Sequence, residues 1–201
     1  MKRFEVGQLR NVVLLGGSRA GKTSLGEALL FGAGATNRLG SVDEGNSVLD
    51  FDPDEISRKL TLNTTLASIE TARGKINLLD TPGFSLFLGD ATAACRVADA
   101  AIFVVSAATG IKFETEALWK AAGEAGLPRM MVVTKLDRER TSVAKVLEDA
   151  ERFLGVKPVP IQVPIGAEAS FRGVVDLLQN KARLFAADGS GKETSGSVPE
   201  E

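Results

Sequence analysis

"GGSRAGKT", residues Gly16–Thr23, stands between an apolar run, Val12 to Leu15, and a helical pattern from Lys22 to Phe31. The glycines let successive backbone N–H groups turn toward phosphate oxygens, and Lys22 adds a point charge. Thr23 offers a hydroxyl to Mg²⁺, and the helix that begins there aims its positive end at the same anion. Gly16, Gly17, Ser18, Arg19, Ala20, Gly21, Lys22 and Thr23 are therefore candidate nucleotide contacts. Working outward, three more short apolar runs follow: Ile76 to Leu79, Ala100 to Val105 and Met130 to Val133. None alternates with polar residues, which is how strands buried on both faces of a parallel sheet read. Helical spacing recurs in "FETEALWKAAGEAG", before Gly126 and Pro128, and in "SVAKVLEDAERFLG", ending at Gly155. Leu62 to Glu70 alternates instead and meets an Arg73-Gly74 turn, so it reads as a hairpin partner. The fold class expected is α/β: a P-loop, doubly wound, mostly parallel sheet with one antiparallel edge strand. Between Phe31 and Leu62 there is no sustained period, and a connection that long inside a compact domain is usually functional.

Two more motifs lie at strand ends. "DTPG", Asp80 to Gly83, closes the second apolar run; Asp80 can hold Mg²⁺ through water, and the Gly83 amide can meet a terminal phosphate. "TKLD", Thr134 to Asp137, closes the last run. Asp137 can accept from both N1–H and the 2-amino group of guanine, a donor pair that adenine lacks, and Lys135 can lay its stem along the base. The order of the three motifs points to a guanine nucleotide.

Bulk properties exclude other classes. The 201 residues are 44% apolar and 25% charged, with a net charge of -2 and a pI near 5.4, so no basic footprint for direct nucleic-acid binding is present. Cys95 is the only cysteine, which rules out an internal disulfide, fits a cytoplasmic setting, and reads as buried on a helix. No run approaches a membrane span, and the first residues lack a signal-peptide core. Histidine is absent, which removes the commonest general base and the commonest metal ligand. The last residues, "AADGSGKETSGSVPEE", read as polar and flexible.

With these motifs in place, the chain resembles the G domain of translational GTPases of the elongation factor G type. The likeness also covers "RKLT", "AAIFVVSAATGIKFETEALWKAA", "PVPIQVPIG" and "FRGVVDLL". The resemblance implies GTP and GDP as ligands with Mg²⁺, GTP hydrolysis coupled to a translocation-like step on the ribosome, and a cytoplasmic monomer with no membrane contact. It places Arg58 to Thr61 in a first switch, with Thr61 joining Thr23 and Asp80 at the metal and contacting the γ-phosphate. It divides the chain into a G domain, 1–157, incomplete at its C-terminal side, and the start of an inserted subdomain with a flexible tail, 158–201.

Three departures matter. Phe84 stands where the family has a histidine that positions the attacking water, so catalytic roles rest on Lys22, Thr61, Gly83 and the site of Phe84. Arg19 stands where relatives carry an aspartate; its guanidinium either neutralises phosphate charge or faces solvent. The family's Ser-Ala base motif has no counterpart in the expected place, so a sixth core strand is expected beyond Glu201. Two alternatives stay open within the superfamily: a GTP-binding switch with little turnover, and a ribosome protection factor. An unrelated P-loop ATPase is opposed by Asp137.

Overall fold

The computed structural model describes residues 3–186 and 193–198. Contacts divide the chain into two compact units, 1–134 and 135–201. This division falls before the 157/158 boundary expected from the resemblance.

In the first unit the elements run β1 (Leu9–Leu15), α1 (Lys22–Gly32), α2 (Pro53–Arg58), β2 (Thr65–Glu70), β3 (Lys75–Asp80), α3 (Leu88–Cys95), β4 (Ala100–Ser106), α4 (Phe113–Glu124) and β5 (Arg129–Thr134). The sheet order is β2-β3-β1-β4-β5. β2 is antiparallel to β3, and the other pairs are parallel. β1 is central because the chain crosses first to β3 on one side and then to β4 on the other. That reversal opens a crevice at the carboxyl end of β1, where doubly wound sheets bind ligands. The loop "GGSRAGKT" leaves β1 there.

Alternation along β1 sends side chains to two cores. Val13 and Leu15 pack with Phe103, Ala91, Cys95 and Leu118 beneath α3 and α4. Leu14 faces the other way, toward Gly26 of α1. On the α1 side Leu30, Leu49 and Ile69 form a second buried cluster. Phe103 meets Trp119 edge to face at 4.7 Å, and the Arg129 guanidinium lies 4.2 Å from the centre of the Trp119 ring.

The four apolar runs are strands, and the expected edge strand pairs antiparallel. It begins at Thr65, however, because the Leu62 and Asn63 amides donate to Glu55 at 2.9 and 3.0 Å instead of joining the ladder. Two helices are new. α2 interrupts the connection that the sequence leaves without a period. Asp52 caps it, Pro53 opens it, and Glu55 reaches back to the Asp52 amide, so a short capping box sets it without any hydrophobic repeat. α3 carries Cys95, buried on a helix as expected.

The second unit holds α5 (Val143–Leu154) and an antiparallel sheet of β6 (Gln162–Ile165), β7 (Gly173–Asp176), β8 (Lys181–Phe185) and β9 (Glu193–Gly196), in that order. Ser142 caps α5 by accepting from the Lys145 amide, and Gly155 ends it with φ 65°. Ile165, Val175 and Ala182 form a buried cluster on this sheet. The polar tail expected to be flexible is in part the strand β9. Glu193 pairs with Arg183 at 2.7 Å, and ladder bonds to β8 order a stretch without apolar content. The rest of that tail, 187–192 and 199–201, lies outside the described residues. Among the described residues no helix is long and apolar enough to cross a membrane.

Candidate functional site

The site begins with the bend after β1. Gly16 has φ +139°, and a Cβ there would strike the Val104 carbonyl of β4, so only glycine lets the chain turn this close to the sheet. Gly21, with φ +98°, then starts α1. Lys22 is 5% exposed, and its ammonium donates back to the Gly16 and Gly17 carbonyls at 3.1 and 3.2 Å. Burial lowers its pKa from the usual lysine value, against the pull of Asp80, Asp50 and Glu114. Gly83 packs over this ammonium: a Cβ at residue 83 would collide with Lys22 Nζ. The turn after β3 and the loop after β1 thus meet, as parallel pairing of Leu14 with Asp80 requires.

Next to Lys22, four oxygen-bearing side chains converge. Thr23 Oγ1 donates to Asp80 Oδ2 at 2.6 Å, and Thr61 Oγ1 donates to Asp50 Oδ1 at 2.9 Å. The two hydroxyl oxygens are 3.0 Å apart. That is hydrogen-bonding distance, and either hydroxyl can donate to the other. Asp80 Oδ1 and Asp50 Oδ2 are buried with no hydrogen-bond partner. Burial pushes the Asp80 carboxyl up to about 7, opposed by the Thr23 bond and the Lys22 charge, and burial likewise raises Asp50. A nest of hard oxygens, two of them buried carboxylate atoms without a partner, is the donor set that a magnesium ion takes, and Thr23, Thr61 and Asp80 with Asp50 fit one.

The remaining residues divide. Ser18 and Ala20 complete the bend, where the Ala20 amide donates to the Gly17 carbonyl at 3.2 Å. Arg19 is exposed, with φ 60°. Thr134 Oγ1 donates to the Ala20 carbonyl at 2.7 Å, so this hydroxyl braces the phosphate loop. Lys135 and Asp137 belong to the second unit. There Lys135 has φ 60°, and Asp137 is exposed beside Arg138, with a 3.6 Å ion pair. Phe84 is 42% exposed at the start of a short helical turn, Ser85–Phe87. Its ring has neither donor nor acceptor.

Sequence reasoning missed Asp50, which no motif marks. The available signal was Leu49, the apolar anchor just before it, which is fully buried in a polar stretch. It also missed Lys112, whose stem covers Gly17, with Cδ 3.0 Å from where a Cβ would sit. Thr81 is a third: its hydroxyl donates to the Leu14 carbonyl at 2.6 Å and locks the turn after β3 to β1.

Known proteins resemble the chain in sequence and in fold. The chain is 36% identical over 194 residues to elongation factor G 2 of Borreliella afzelii, covering 96% of this chain and 29% of that protein. It is 39% identical over 194 residues to the elongation factor G-like protein of Mycobacterium tuberculosis, covering 96% of this chain and 26% of that one. A solved Thermus thermophilus structure superposes with a TM-score of 0.87 at 37% identity, over 96% of this chain and 28% of that chain. The chain therefore spans less than a third of the length of these relatives. Residues 7–194 match the elongation factor Tu GTP binding domain, and the chain belongs to that family.

Proposed function

We propose that the chain binds GTP and GDP with Mg²⁺ and hydrolyses GTP as the nucleotide switch of an elongation factor G-like protein, coupled to a translocation-like ribosomal step. The observation that carries this reading is the convergence of Lys22, Thr23, Thr61 and Asp80 beside Gly83, with two buried carboxylate oxygens lacking partners. Lys22 leaves its carbonyl partners for phosphate oxygens. The amides of Gly16 to Thr23 hold the β-phosphate, and the Gly83 amide meets the γ-phosphate. Thr23, Thr61 and Asp80 would hold the metal, which when bound would supply charge neutralisation for the phosphates. Asp137 selects guanine, and Lys135 covers the base. Residues 1–157 act as the G domain and 158–201 open an inserted subdomain, with the chain acting as a cytoplasmic monomer on the ribosome. Labelled GTP binding that requires Mg²⁺ and resists excess ATP is the expected result. Equal competition by ATP would refute the guanine reading.

A second reading, GTP binding with little turnover, is favoured by Phe84 and by the absence of histidine from the whole chain. Phe84 cannot orient water, and water positioning or general-base help contributes roughly 10² to 10⁴ in rate. Multiple-turnover phosphate release with ribosomes separates the readings, and Phe84→His raises that rate if the second holds.

A further inference from the structure

Glu27 lies inside α1, one turn beyond Lys22, and is fully buried. Its Oε1 accepts from Ser47 Oγ at 2.7 Å, from the Val48 amide at 2.7 Å and from the Leu49 amide at 3.2 Å. Ser47 Oγ in turn accepts from the Leu49 and Asp50 amides, each at 3.1 Å. Leu49 then enters the core against Leu30 and Ile69, and Asp50 accepts from Thr61. The other carboxylate oxygen, Oε2, is buried without a hydrogen-bond partner and fills the space that a Cβ on Gly40 would need.

A buried carboxylate is a costly way to fill a helix face, since an apolar side chain would pack there without desolvating a charge. What the carboxylate adds is direction: three donors from one short segment converge on a single oxygen. Every link from Glu27 to Thr61 is a hydrogen bond or a neighbouring residue, and the path ends at the Thr23–Asp80 pair.

We propose that Glu27 is a positioning residue of the nucleotide switch: it docks residues 47–50 on α1 and so brings Asp50 and Thr61 to Thr23 and Asp80. The docking follows from the fold, whereas its effect on nucleotide rests on the function proposed above. In the function proposed above Thr61 would contact the γ-phosphate, which GDP lacks, while the loop Gly16–Thr23 would meet phosphates common to GTP and GDP. Losing Glu27 therefore weakens the triphosphate selectively, which a merely structural role would not do.

The test has two arms, applied to the unaltered chain and to Glu27→Ala, Glu27→Gln and Gly40→Ala. Gly40→Ala leaves Glu27 in place but forces its carboxylate to move, and it serves if Glu27→Ala fails to fold. The first arm is amide hydrogen exchange without nucleotide. Val48 and Leu49 are protected in the unaltered chain and exchange roughly tenfold faster in Glu27→Ala and Gly40→Ala, with an intermediate effect for Gln, which keeps an acceptor oxygen. The second arm is Mg²⁺-dependent affinity for GDP and for a non-hydrolysable GTP analogue. The analogue binds roughly tenfold more weakly to Glu27→Ala while GDP changes less than about twofold. Rapid exchange in the unaltered chain, or unchanged exchange in Glu27→Ala, overturns the docking. Equal weakening of both nucleotides, or weakening of neither, overturns the switch role. If the unaltered chain binds neither nucleotide, the proposed function falls together with the switch role, and the exchange arm still decides the docking.

Discussion

The phosphate loop and the segment facing it, residues 40–61, bring oxygen atoms to the same buried cluster but are held by opposite means. In the loop the lysine bonds to carbonyls five and six residues away, and the bend is set by glycines within eight contiguous positions. In the facing segment the deciding bonds span 20 residues, from Ser47 to Glu27, and 38 residues, from Thr61 to Thr23. Its apolar anchor is Leu49. A rigid cradle thus faces a strap held mainly by polar bonds. Segments that move on ligand exchange are drawn from such low-stability elements. The difference teaches which side of the cluster is equipped to report the nucleotide state.

The largest expected effect breaks the cradle. Lys22→Ala removes a buried charge from the phosphates and lowers affinity for GDP and the GTP analogue alike by roughly 10³-fold. Titration calorimetry showing a selective loss would reverse the roles assigned to the two regions. Next comes the strap's anchor: Leu49→Ala leaves a cavity beside Leu30 and Ile69 and destabilises the chain by about 3 kcal/mol in denaturant unfolding. A cost below about 1 kcal/mol would mean that Leu49 is not seated as described. Asp50→Asn keeps an acceptor for Thr61 but removes a carboxylate from the oxygen nest proposed to hold the metal. It raises the Mg²⁺ concentration needed for analogue binding roughly tenfold, while binding of GDP stays within about twofold. A metal titration that affects GDP equally would place Asp50 with the cradle. The smallest effect sharpens the cradle: Thr134→Val removes the bond to the Ala20 carbonyl and costs about 1 kcal/mol of affinity for either nucleotide. Selective weakening of one nucleotide would show that the brace acts on the strap.

Legibility followed the same division. The strands, α1, α4, α5 and the antiparallel edge could be read from apolar runs and helical spacing, and Lys22, Thr23, Asp80 and Gly83 from short motifs at strand ends. α2 carried a signal, Asp52-Pro53-Asp54-Glu55, but one of capping rather than periodicity. β9 carried none, since "ETSG" is a strand through its pairing with β8. No motif marks Asp50 or Glu27; beside Asp50 the one local cue is Leu49, and their burial comes from contacts distant in the chain.

The sequence by itself determined the cradle, because glycine stereochemistry, a lysine's reach and the start of a helix are properties of adjacent residues. It determined as well that residue 84 carries an apolar ring with neither donor nor acceptor. Tertiary structure alone decided the strap. A carboxylate becomes a switch anchor or half of a metal nest only when the fold strips its water and places donors from distant positions around it. That desolvation is a property of the packed molecule, and no short stretch of chain encodes it.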